Sequence, residues 1–216
     1  MTGSTTRSQP RIYDARPRPR RRAAVRRRRF TLLLALLAVG GLALLWFSAG
    51  EKALREITLP LRHEDIIRQQ AREKHLDPAL IAAVIYQESK FSPRTSARGA
   101  EGLMQILPRT AEFIAQRSGG TRFVPSDLAT PQVNIAYGSW YLRYMIDRYD
   151  GNETLAVAAY NAGEHNVDTW VERAGGEDNF DAKKDIPFPE TRHYVQSVHD
   201  HRKLYREHYG KELGLR

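Results

Sequence analysis

Asp77-Pro78-Ala79-Leu80-Ile81-Ala82-Ala83-Val84-Ile85-Tyr86-Gln87-Glu88-Ser89 is the stretch on which the reading of the chain turns. Aspartate is a favoured N-cap, and proline suits the first helical turn because its missing N–H would have no intrahelical partner there. The stretch therefore starts a helix at Pro78. Ile81, Val84 and Ile85 follow at the i, i+3, i+4 spacing of a core-facing stripe, and position i+7 of that stripe is Glu88. A carboxylate stands where packing asks for an apolar side chain. Such a group is either paired with a cation or partly desolvated, and desolvation raises its pKa by penalising the charged form.

Toward the N-terminus the composition changes twice. Residues 1–29 hold 11 arginines and one aspartate, so they carry the whole of the chain's formal net charge of +9 and the rest is close to neutral. Their Arg, Pro, Ser and Thr content, with few large apolar residues, predicts a disordered tail. Phe30 to Phe47 contains no charged residue, and the apolar character extends to residue 49. About 20 such residues span a bilayer core of roughly 30 Å. Residues 30–49 are therefore expected to form one transmembrane helix, with Trp46 and Phe47 at its outer interface. The arginines on the near side set the N-terminus in the cytoplasm and the rest outside the cell membrane. A cleaved signal peptide would have a shorter apolar core. The arginine cluster is explained by topology, so no nucleic-acid partner is expected. Residues 50–61 read as a short linker, with Pro60 breaking any continuation of the helix.

Residues 62–216 form the expected folded domain. Helical spacing covers His63 to His75, Pro78 onward, Thr110 to Arg117, Pro131 to the Asp150-Gly151-Asn152 stop, Glu153 to Tyr160, Val167 to Arg173, and Pro189 to about Tyr209. Ser96 to Gly102 reads as a loop with two glycines, and residues 174–188 as a polar loop. No stretch shows sustained period-two alternation, so the predicted class is all-α. The absence of cysteine rules out disulfides and thiolate metal sites. His193, His199, His201 and His208 do not make a zinc pattern and are expected to be solvated. No metal and no cofactor is expected.

Five motifs then occur in order: Glu88-Ser89-Lys90-Phe91; Gly99-Ala100-Glu101-Gly102-Leu103-Met104-Gln105-Ile106-Leu107-Pro108-Arg109-Thr110-Ala111; Asn134-Ile135 with Gly138 and Tyr141-Leu142; Ala158-Ala159-Tyr160-Asn161-Ala162-Gly163; and Pro187-Phe188-Pro189-Glu190-Thr191-Arg192-His193-Tyr194-Val195. Together they resemble the soluble lytic transglycosylase family over roughly residues 62–207. That resemblance implies a goose-type lysozyme-like helical domain acting on peptidoglycan glycan strands. It also implies cleavage of the β-1,4 bond between N-acetylmuramic acid and N-acetylglucosamine, leaving a 1,6-anhydro-muramoyl end. Carried over position by position, Glu88 is the expected catalytic acid and base. Ser96, Met104, Gln105, Tyr160, Asn161 and Glu190 are the expected substrate-binding residues.

Glycoside cleavage ordinarily uses two carboxyls. The sequence offers one in an apolar stripe and no evident partner nearby, which suits an acid that later serves as base toward the substrate's own hydroxyl. A muramidase acting on the same bond, and a glycan-binding module without activity, remain the alternatives. Bland roles also stand beside the site readings. Asn161 could simply end a helix, Glu190 could favour a helix N-terminus, and most of Tyr137, Trp140, Tyr141 and Tyr144 fit a core with one or two sugar platforms.

Overall fold

The computed structural model describes residues 29–32, 37–41, 46, 50, 54–119 and 123–215. The chain divides into two compact units, Met1–Ala53 and Leu54–Arg216. The few described residues of the first are helical. Among the described residues no helix is long and apolar enough to cross a membrane. Residues 1–28 of the expected tail, and most of the expected span over 30–49, lie outside them.

The second unit is built from helices α1 (Glu64–Lys74), α2 (Pro78–Ser89), α3 (Pro108–Ser118), α4 (Pro131–Arg148), α5 (Glu153–Ala162), α6 (Glu164–Ala174), α7 (Ala182–Asp185) and α8 (Pro189–Tyr209). Their starts follow the sequence signals. Asp77 Oδ1 accepts from the Ala79 N–H at 3.0 Å, and prolines open α2, α3, α4 and α8. Asp150 and Gly151, both with positive φ, turn the chain after α4, and Asn152 caps α5 by accepting from the Leu155 N–H at 3.2 Å.

The amphipathic stripe expected for α2 is too narrow a description. Ala79 through Ile85 are all fully buried, so α2 is a central helix covered on every side. It packs chiefly against α8, while α5 bridges α4 and α8. Glu88 therefore does not interrupt an apolar face. It lies in the last turn, where the central helix leaves the core. A second anchor fixes this arrangement: Asp77, besides capping α2, pairs with Arg206 of α8 at 3.0 Å and with Arg202, which also reaches Glu153 of α5.

Three expectations need correction. The all-α class omits one minimal hairpin, in which β1 (Arg94–Thr95), just before the stretch read as a loop, pairs antiparallel with β2 (Glu101–Gly102) at its end. The 174–188 loop contains α7 and a 3-10 turn at Glu177–Asn179. His199 and His201 are half-buried rather than solvated. His199 sits 3.3 Å from Thr154 Oγ1, and burial lowers its pKa, while the His201 ring lies 4.3 Å from that of Tyr86.

Candidate active site

Helix α2 ends at Ser89, with Lys90 in the left-handed conformation at φ 52°. Ser89 is buried, and its hydroxyl bonds both the Ile85 carbonyl at 3.2 Å and the Leu103 carbonyl at 2.7 Å. The end of the central helix is thereby tied to the loop that follows the hairpin. The last turn presents Glu88 as a half-buried side chain.

Tyr194 of α8 donates its hydroxyl to Glu88 Oε1 at 2.6 Å. Burial pushes the Glu88 carboxyl up to about 7, against two opposing influences, the Tyr194 hydrogen bond and the Arg94 charge. Arg94 belongs to β1 and donates through Nη2 to the Glu88 carbonyl at 3.2 Å. Burial also holds the Tyr160 and Tyr194 hydroxyls far above their ordinary range, and the nearby Glu88 charge adds to both. Both tyrosines are thus hydrogen-bond donors throughout the neutral range. Tyr194 joins α8 to the carboxyl at the end of α2, and Tyr160 of α5 lies close enough to feel its charge.

The hairpin and the loop after it form the neighbouring wall. Ser96 Oγ accepts from the Ala100 N–H at 2.9 Å, so this hydroxyl closes the hairpin turn. Gln105 is held in the left-handed region at φ 49°. Its amide nitrogen donates to the Arg94 carbonyl at 2.7 Å and the Gly102 carbonyl at 2.9 Å. A non-glycine residue there costs of order 1–3 kcal/mol, tolerated where surrounding bonds over-determine it. Asn134 supplies much of that determination. From α4 it accepts from the Met104 N–H at 2.7 Å and donates to the Glu101 carbonyl at 2.9 Å and the Leu128 carbonyl at 3.0 Å. Gly102 has φ +78°, and a Cβ there would run into the Asn134 side chain.

Met104 is fully buried, and its side chain occupies the space that a Cβ on Gly138 would need. What it offers the site is backbone: its carbonyl accepts from Tyr160 Oη at 3.0 Å. Asn161, in the last turn of α5, is exposed and accepts from the Thr191 hydroxyl of α8 at 2.8 Å. Glu190 is exposed in the first turn of α8, four residues before Tyr194 and so on the same helix face. The aromatic residues of α4 are half-buried. Tyr141 meets Tyr160 at 5.5 Å between ring centroids, and Trp140 stacks on Tyr144 at 5.5 Å.

Of the residues singled out in the sequence, the structure gathers Glu88, Tyr160, Met104, Gln105 and Ser96 around the junction of α2, α5 and the hairpin. Asn161 and Glu190 lie where α5 meets the start of α8. Sequence reasoning gave no site role to Tyr194, Arg94 or Asn134, although Asn134 headed the third quoted motif. Tyr194 stood inside the quoted closing motif, and its signal was the i+4 spacing from Glu190. Arg94 had no local signal, because it lies just before the Ser96 to Gly102 loop, in a strand too short to show a pattern.

Comparison with known proteins accords with this geometry. The family model described as the Transglycosylase SLT domain matches residues 65–182. The soluble lytic murein transglycosylase of Salmonella typhimurium is 35% identical over 163 residues, covering 74% of this chain and 25% of that protein. The membrane-bound lytic murein transglycosylase F of Haemophilus influenzae is 34% identical over 143 residues, covering 60% of this chain and 28% of that one. Among solved structures, the 70 kDa soluble lytic transglycosylase of Escherichia coli superposes with a TM-score of 0.67 at 33% identity, covering 74% of this chain and 27% of that one. This chain spans about a quarter of the length of each of these proteins.

Proposed function

The chain belongs to the transglycosylase SLT domain family, and from that premise and the state of Glu88 we propose that it is a peptidoglycan lytic transglycosylase. The observation that carries the reading is the carboxyl at the end of the central helix, pushed up to about 7 by burial and held by Tyr194. At neutral pH such a group is present in both protonation states, as one residue must be to act first as acid and then as base.

Protonated Glu88 donates to the glycosidic oxygen as the bond from that oxygen to the anomeric carbon breaks. The neighbouring N-acetyl carbonyl of the substrate assists at the anomeric carbon. The carboxylate so formed takes the proton of the sugar's 6-hydroxyl, whose oxygen closes onto the anomeric carbon and gives the 1,6-anhydro ring. Intramolecular attack has the proximity advantage over water. The charge that lowers the Glu88 pKa is that of Arg94, and no carboxylate among the described residues contributes to raising it, as suits a site working with one carboxyl rather than the usual two.

In this reading Tyr194 orients the carboxyl and stabilises its charged form. Tyr160 and the Met104 carbonyl line the site beside it. Gln105 and Ser96 shape the hairpin wall through bonds of their own and offer their remaining polar atoms to the glycan. Asn161 and Glu190 extend the groove along the start of α8. Residues 62–216 constitute the catalytic domain. The apolar run 30–49 anchors it in the cell membrane with the arginine-rich tail in the cytoplasm and residues 50–61 as linker; a relative described as membrane-bound supports membrane association in general.

The test is product identity. Sacculi digested by the full chain are expected to release muropeptides one water lighter than hydrolytic products, and the Glu88→Gln protein to release none. Products of hydrolytic mass would identify a muramidase instead. Undiminished release by Glu88→Gln would end the proposal.

A further inference from the structure

The sequence reads the residues before the domain as a plain linker, but the structure gives the last part of it a fixed seat. Residues 54–58 form a helical turn, and the Thr58 hydroxyl donates back to the Leu54 carbonyl at 2.9 Å. The next three carbonyls in succession are each taken by a tyrosine hydroxyl. Tyr86 of α2 donates to the Thr58 carbonyl at 2.9 Å, Tyr209 of α8 to the Leu59 carbonyl at 2.8 Å, and Tyr205 of α8 to the Pro60 carbonyl at 2.6 Å. The Leu59 side chain is buried in the core. Arg55 donates to the His208 carbonyl at 3.3 Å and lies over the Tyr209 ring at 5.7 Å. A flexible linker would leave these carbonyls to water. Here the segment is a structural part of the domain.

Beside the exposed Glu56 and Thr58, this seated turn also exposes two large apolar side chains. Leu54 and Ile57, three residues apart and so on one side of the turn, are 62% and 80% exposed. A single exposed aliphatic residue is ordinary. Two on one side of a turn that the domain holds in place, beginning four residues after Gly50 ends the uncharged run, call for an occupant. The occupant nearest along the chain is the lipid that the 30–49 run is read to enter. We propose that Leu54 and Ile57 are an interfacial foot, seated by Tyr86, Tyr205 and Tyr209 and dipping into the headgroup and acyl boundary of the membrane. This rests on the membrane-anchor reading above.

Because the chain has no cysteine, Ile57→Cys gives one labelling site in the full chain, which is placed in nanodiscs of phosphatidylethanolamine and phosphatidylglycerol. Co-elution with the discs reports the anchor, and quenching of an environment-sensitive label by nitroxide lipid reports the foot. The expected result is co-elution with a blue-shifted label whose emission falls about twofold, as for a group roughly 5–10 Å into the interface. Co-elution without quenching overturns the foot and leaves the anchor standing. Failure to co-elute overturns both. In the same discs, Tyr86→Phe with Tyr209→Phe is expected to lower the label's fluorescence anisotropy. Unchanged anisotropy would refute the seat formed by the tyrosines.

Discussion

Replacing Tyr194 by phenylalanine keeps the ring between α8 and α2 and removes only the hydroxyl that donates to Glu88 at 2.6 Å. A hydrogen bond to an ionised acceptor contributes about 1.5–3 kcal/mol. At about 1.4 kcal/mol per pKa unit, its loss raises the Glu88 pKa by about one to two units from the value of about 7 set by burial. The sign is fixed by the chemistry: the hydroxyl stabilises the carboxylate, so deleting it favours the protonated form. In the proposed mechanism Glu88 must be protonated to donate first. The wild-type rate of anhydro-muropeptide release is therefore expected to fall as pH rises through about 7. In Tyr194→Phe that falling limb moves to higher pH. On the acid side of both limbs the variant is about threefold to tenfold slower, because a weaker acid donates less readily. Tyr160→Phe is the internal comparison, since its hydroxyl goes to the Met104 carbonyl at 3.0 Å rather than to the carboxyl. Its limb should stay where the wild type has it. Release from sacculi, followed by mass spectrometry across pH, measures all three. A limb in Tyr194→Phe that stays put or moves to lower pH would refute the assignment of Tyr194 as the donor that sets the acid.

Glu88→Gln should lose activity by about two to four orders of magnitude, the usual contribution of a general acid–base group, and should also be more stable. Below about pH 4.5 the carboxyl is protonated in the folded and unfolded chain alike and the native state is not penalised. Between 4.5 and about 7 the unfolded chain ionises first and stability declines. The gain from glutamine should therefore grow across that window to about 2 kcal/mol, allowing for partial exposure; thermal melts at pH 4 and pH 7.5 test it, and an equal gain at both would count against the burial account. Asn134→Ala removes a buried side chain with three backbone partners, and is expected to cost about 2–4 kcal/mol in denaturant unfolding. Gly138→Ala pushes a methyl into the Met104 side chain. Overpacking of this kind costs about 1–3 kcal/mol; glycan cleavage should fall with it, because the Met104 carbonyl holds Tyr160.

The helical scaffold was legible because its punctuation is local. Asp77-Pro78, Thr130-Pro131, Asn152 and Gly163 start or stop helices through bonds to residues within a few positions, and those signals survive without tertiary knowledge. The start of α6 at Glu164, three residues before the Val167 read from the sequence, is of the opposite kind. Its first turn pairs with α4 through Glu164 and Arg148 at 3.4 Å, a contact that no periodicity reveals. The hairpin was missed because two residues per strand are too few for any alternation to show. Arg94 went unnoticed with it. Glu88 was noticed for a reason that needs revising. The stripe that made it anomalous is one side of a helix buried on all sides, so the informative fact is that it stands in the turn where that helix ends. Tyr194 lies 106 residues from Glu88 along the chain, and only the packing of α8 on α2 joins them.

That packing supplies what the proposed mechanism asks of a single carboxyl that serves twice. With an ordinary pKa near 4.5, Glu88 would be protonated in only about one chain in several hundred at pH 7, a penalty of about 3 kcal/mol on the donating step. Burial at the end of α2 removes that penalty by raising the value to about 7. Burial carried further would transfer the penalty to the second step, because a carboxyl that never ionises cannot take a proton from the 6-hydroxyl. Tyr194 and Arg94 oppose the burial and hold the group between these limits. The two come from different places, α8 and the hairpin, and each is joined to the end of α2 by a hydrogen bond. The site therefore depends on the relative position of three elements, and α2 is the one they share. Its uniformly apolar surface is what allows α8 to pack close enough for the 2.6 Å bond, so the most hydrophobic stretch of the domain is also the one that sets the acidity of its single candidate acid.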